Sequence, residues 1–102
     1  MSIPKVLGQG TYGCVHNPPL FCDKSDKRDD ENVSKLMKTK AAKTELNEYV
    51  VIDNIDKSKD FYLGKPDMCK LGMQKLNRLA IRNCSIRSSV DSNYNNYSLL
   101  LM

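Results

Sequence analysis

The stretch Leu7–Val15, LGQGTYGCV, sets Gly8, Gly10 and Gly13 in a G-x-G-x-x-G pattern. Glycine is costly to order, so three within six residues mark backbone that turns tightly or lets something approach it closely. A dinucleotide-binding turn is one reading. It needs a helix opening directly after the glycines and an acidic residue about 20 residues further on. Here CVHNPPL follows, and Pro18-Pro19 blocks a helix; Glu31 stands near the required distance but inside a charged loop. A plain tight turn without a ligand is the second reading. The third is a pair of antiparallel strands folded over phosphates, with bare glycines exposing backbone amides to the oxygens.

Residues 3–20 read as two strands joined by the glycine turn, with Ile3, Val6 and Leu7 before it and Val15 and Leu20 after it. Residues 23–32, DKSDKRDDEN, are wholly polar and form a solvated loop. VSKLM, at 33–37, is a short apolar strand with Lys35 inside it. Residues 38–56 have helical periodicity: Ala41, Ala42, Leu46, Tyr49, Val50, Val51, Ile52 and Ile55 supply a wide apolar face. Thr39 is placed to cap this helix, and a start nearer Thr44 is the alternative. SKD at 58–60 reads as a turn, and a strand bent at Gly64-Lys65-Pro66 follows, with Phe61 and Tyr62 in its core. Leu76, Leu79 and Ala80 suggest a short helix, SSVDSNYNN a polar loop, and YSLLLM a buried strand. An apolar strand at the end of the chain suggests that something normally follows it.

Two charged residues sharpen the choice among the three readings. A lysine in an apolar strand is usually edge-exposed, yet Lys35 follows a glycine loop whose full pattern, G-x-G-x-x-G-x-V, includes Val15. Glu48 shares a helical stripe with Val51, Ile52 and Ile55, and a carboxylate on a buried stripe needs a cationic partner. Lys35 is the natural partner of Glu48, with Glu45, one turn earlier, as runner-up. Taken together, VLGQGTYGCV, VSKLM and ELNEYVVIDNID make the residues from Ile3 to Asp56 resemble the N-terminal lobe of a protein kinase. The proline pair and VSKLM look most like the divergent serine/threonine kinases of large DNA viruses.

The resemblance implies an α+β fold, an antiparallel five-stranded sheet with one main helix, with room for a short helix in an insertion at 72–93. It implies one lobe over residues 1–102, with 23–32 as the loop between the second and third strands and the fourth strand within 57–71. It implies ATP as ligand, contacted by Leu7, Gly8, Gly10, Thr11, Tyr12, Gly13, Val15, Lys35 and, at the back of the pocket, Met102. The motifs H-R-D-x-x-x-x-N and D-F-G, which carry the catalytic base and the magnesium ligands, are absent from the sequence. DFYLG at 60–64 only begins like the second of them. The chain thus has no catalytic residue of its own and no metal site. Mg2+ enters only with a second lobe, and the lobe alone is expected to be inactive. A missing C-terminal lobe or another protein is the implied partner, with a non-catalytic pseudokinase-like module as the alternative.

Composition sets further bounds. The chain has 102 residues, 40% of them hydrophobic, a net charge of +4 and no tryptophan, which describes a small domain with a thin core. No apolar run reaches membrane-spanning length, and the N-terminus lacks the features of a secretory signal, so the expected location is intracellular, in host cytoplasm or virion if the viral resemblance holds. Cys14, Cys22, Cys69 and Cys84 show no C-x-x-C pair and read as free thiols. The rival function is a nucleic-acid-binding module at residues 70–97. Lys70, Lys75, Arg78, Arg82 and Arg87 occur there without an acidic residue up to Val90, and Tyr94 and Tyr97 follow. Neither RNA-binding motifs nor zinc-finger spacings accompany them.

Overall fold

The glycine-rich stretch folds as a hairpin. Lys5–Gly10 forms strand β1 and Gly13–Asn17 forms β2, with Lys5 opposite Asn17 and Gly10 opposite Gly13. Pro18 and Pro19 follow β2 and end it, because proline has no amide to give a ladder. The computed structural model describes residues 3–10, 13–25, 27, 31–55 and 66–102, with side chains in the main helix described as far as Tyr49. Thr11, Tyr12, Phe61, Tyr62, the 58–60 turn and the bend at Gly64-Lys65 lie outside the described residues, as do the side chains of Val50, Val51, Ile52 and Ile55.

Ser34–Lys38 forms β3 and runs without a loop into helix α1, Thr39–Ile55. Thr39 is the first helical residue, and its hydroxyl shares a 2.7 Å hydrogen bond with that of Ser98, tying the helix start to the last strand. Asp67–Lys70 forms β4, Lys75–Ile81 α2, Arg87–Ser92 α3, and Tyr97–Leu101 β5. The five strands lie in the order β1-β2-β3-β5-β4, every neighbouring pair antiparallel. The fold is α+β, with a five-stranded antiparallel sheet and one main helix, as the sequence leads one to expect.

One expectation for the second half needs correction. SSVDSNYNN is not a loop: most of it belongs to α3 and to a short 3-10 turn at Tyr94–Asn96. Val90 is fully buried and Ile86 packs against the same core, and these two anchors suffice for a short helix among polar neighbours. YSLLLM forms the buried strand expected of it. β5 lies between β3 and β4, with Leu99 and Leu100 fully buried, and the sheet edges are β1 and β4.

Cross-strand pairing arranges the side chains in rows. Gly8, Val15, Lys35, Leu100 and Met68 form one row across all five strands. Gln9, Cys14, Leu36, Leu99 and Cys69 form the next. Successive strand residues point to opposite sides, so the two rows occupy opposite faces of the sheet. Helix α1 covers the first face, where Ala42 packs with Met37 and Leu100, and Leu46 and Met68 border them. The segment carrying α2 and α3 covers the second face and builds the larger core with Leu36, Leu71, Ile81, Val90, Tyr97 and Leu99. Asn77 fastens this segment: buried in α2, it accepts from the Phe21 amide at 2.8 Å and donates to the Phe21 and Gly72 carbonyls.

Cys14 is bonded to Cys84 and Cys22 to Cys69, which overturns the reading of four free thiols. The partners are 70 and 47 residues apart, so local spacing hides what the sheet brings to Cα separations of 6.0 and 5.7 Å.

Candidate functional site

The three loop glycines have different reasons to be glycine. A Cβ on Gly13 would sit 1.9 Å from the Leu36 carbonyl oxygen, so close strand packing alone demands glycine there. A Cβ on Gly8 or Gly10 would meet nothing within 4 Å, and neither has a left-handed φ. The fold does not require glycine at these two positions; an approaching ligand would. Both lie on exposed backbone.

Gly8 begins the row that continues through Val15 to Lys35. The Lys35 ammonium donates to Glu45 Oε1 at 2.7 Å, with side-chain exposures of 31% and 24%. The carboxylate paired with Lys35 is therefore that of Glu45, and the expected Glu48 is exposed one turn further along. The packing of the helix explains the difference. Ala42 and Leu46 set the face of α1 that meets the sheet, and Glu45 stands beside them, directly over β3. The later apolar residues pointed instead to a stripe centred on Glu48.

Half-buried Val15 and buried Leu100 flank Lys35 in the same row and form an apolar wall beside the ion pair. Met102 extends this wall. Its amide and carbonyl exchange hydrogen bonds of 2.9 and 3.1 Å with Val33, and alternation puts both residues on the Lys35 face. Leu7, at the irregularity in β1 between Val6 and Gly8, is 63% exposed. The structure thus gathers Gly8, Val15, Lys35, Glu45, Leu100 and Met102 on one side of the sheet; Thr11 and Tyr12, at the tip, lie outside the described residues. A groove of about 750 Å³ follows α1 from Met37 past Glu45 to Glu48 and is closed by Ile86 and Tyr97. It shares Glu45 with this face but touches neither Lys35 nor the glycines.

The opposite face anchors the hairpin, through residues that the sequence did not single out. Gln9 Oε1 accepts from the Ser85 amide at 2.7 Å, and the Ser85 hydroxyl donates to the Gly10 carbonyl at 3.1 Å. With the Cys14–Cys84 bond next to them, these contacts fix the turn end of the glycine hairpin to the segment between α2 and α3. His16, two residues along β2 from Cys14, is fully buried, with neither ring nitrogen hydrogen-bonded among the described residues. Burial pushes its pKa below the ordinary value of 6.5. The Ala80 backbone offsets part of this, at a geometry short of a hydrogen bond. An even cysteine count was the one sequence signal for the cross-links; Gln9 and Ser85 left none.

Among the described residues no three His, Cys, Asp or Glu side chains gather to hold a metal ion, and no helix is long and apolar enough to cross a membrane. No protein-family model matches the chain, and neither a curated protein nor a solved structure is significantly similar to it.

Proposed function

We propose that this chain is the ATP-binding lobe of a serine/threonine protein kinase-like protein, with the nucleotide on the sheet face that carries Gly8, Val15 and Lys35. The observation that carries this reading is the Lys35–Glu45 ion pair standing in line with the open Gly8. A strand lysine held by a helix carboxylate is the arrangement that presents an ammonium to the α- and β-phosphates of ATP in protein kinases. Glu45 fixes the position of the Lys35 ammonium, so little side-chain entropy remains to be lost on binding. Gly8 and Gly10 leave room for phosphate oxygens to come near the backbone. Half-buried Val15 and exposed Met102 offer apolar surface to the base, and Leu7 a lip.

ATP supplies the transferable phosphoryl group. The residues of this chain bind and orient it. Transfer to a protein hydroxyl needs the catalytic aspartate and the magnesium ligands of a second lobe, whose motifs these 102 residues do not contain. Mg2+ belongs to that complete assembly. Of the two locations that the sequence suggests, the disulfides favour a virion over reducing cytosol.

Lysine acylation tests the reading. ATP in large excess is expected to protect Lys35 from an acylating reagent, measured by peptide mass spectrometry, while exposed Lys40 and Lys43 react as before. Equal modification of Lys35 with and without ATP would overturn it.

A further inference from the structure

The segment between β4 and β5 does more than cover the sheet. Lys75, Arg78 and Arg82 follow one another at helical spacings along and just past α2, and with Arg87 of α3 they line a groove of about 690 Å³. Asp91 is the one acidic residue in its lining, at 3.7 Å from Arg87, and that is the groove's one ion pair among the described residues. Met73, which is 64% exposed, together with half-buried Leu79 contributes apolar surface to the same groove, with the core residue Ile81 behind them. The groove is firmly mounted. Asn77 ties α2 to the backbone of Phe21 and Gly72, Tyr94 donates its hydroxyl to the Gly72 carbonyl, and Cys84 is bonded to β2.

We propose that this groove binds an acidic segment of a partner protein, with carboxylates interleaved with apolar side chains. Arg78 and Arg82 present planar forks suited to carboxylates, and Met73 and Leu79 receive the apolar side chains between them. Charge complementarity admits single-stranded nucleic acid as well, but that ligand needs aromatic platforms for its bases. Tyr94 is the one aromatic residue in the lining and is half-buried with its hydroxyl engaged; Tyr97 lies in the core. A mixed apolar and cationic lining without a stacking platform fits a peptide. This proposal rests on nothing in the nucleotide reading.

Fluorescence anisotropy tests it with a short fluorescein-labelled peptide of alternating glutamate and leucine, its glutamine counterpart, and an oligouridylate of equal length. The glutamate peptide is expected to bind, and the glutamine peptide and the oligouridylate to bind at least about tenfold more weakly, the factor that separates one charge-assisted contact from none. Arg78→Gln with Arg82→Gln is expected to weaken the glutamate peptide by about tenfold or more, with partial recovery for lysine at both positions. Both side chains are exposed, and an unchanged circular dichroism spectrum verifies the fold. Tighter binding of the oligouridylate, no binding of the glutamate peptide, or binding indifferent to the double substitution would each overturn the proposal.

Discussion

Lys35 of β3 and Glu45 of α1 meet at 2.7 Å, and this contact joins the centre of the sheet to the helix that covers one of its faces. Both side chains are mostly buried, so the pair is worth more than a surface ion pair, about 1–2 kcal/mol. Glu45→Gln is expected to lower the denaturant midpoint accordingly and to weaken ATP binding, since the ammonium loses its anchor. Glu48→Gln is expected to change stability by less than about 0.5 kcal/mol, as for other surface sites. Urea titration of both variants checks this; equal losses would show that Glu45 has no special place.

The glycines should separate by role. Gly8→Ala and Gly10→Ala meet open space and should leave thermal stability unchanged or raise it by up to about 1 kcal/mol, because the unfolded chain loses freedom. The same variants should bind ATP more weakly, as a methyl group then stands where phosphate oxygens approach. Gly13→Ala drives a Cβ into the Leu36 carbonyl and should destabilise by several-fold more than either gain. Thermal melts paired with nucleotide titrations distinguish the two kinds of glycine.

His16 should make stability fall in mild acid. Burial lowers its folded pKa below 6.5, so between the two values the unfolded state binds more protons than the folded one. Stability is complete above the unfolded pKa and declines as pH drops below it, by at most about 1.4 kcal/mol per pH unit, until the folded pKa is passed. His16→Leu removes the titrating group at similar volume, and its denaturation midpoint should be flatter as pH falls below 6.5. Identical slopes for the two proteins would exclude His16 as the cause.

The disulfides can be tested separately. With Cys22–Cys69 in place, the loop closed by Cys14–Cys84 shrinks from its full 70-residue separation to the two arms outside the inner bridge. Replacing Cys14 and Cys84 with serine should therefore cost about 3 kcal/mol. It should also loosen the turn end of the hairpin, since the Gln9–Ser85 and Gly10–Ser85 hydrogen bonds then tie it to the α2–α3 segment without a covalent link. Alkylation of the native protein with iodoacetamide should find no free thiol; rapid labelling of all four cysteines would contradict the cross-links.

The parts of the fold that were legible in the sequence are those with local signals. The glycine hairpin, VSKLM, the long helix and YSLLLM each carry a turn residue or a clear apolar run, and each forms the expected element. Lys35 was readable as a buried-strand cation for the same reason. Its partner was not, because choosing between Glu45 and Glu48 depends on which face of α1 meets the sheet, and Ala42 is too small to announce that face. The disulfides and the Gln9–Ser85 contact join residues far apart in the chain, and nothing local encodes them. Helix α3 escaped notice because Val90 and Ile86 alone anchor it within a polar run.

ATP is an anion and could also be drawn to the basic groove beside α2, so binding alone does not decide where it sits. Amide chemical-shift mapping of the labelled protein during an ATP titration does. Perturbations centred on Gly8, Gly10, Val15 and Lys35, and greatly reduced in Lys35→Met, are the expected result. Perturbations confined to residues 75–94, or none at saturating ATP, would contradict the assignment of the Lys35 face as the nucleotide site.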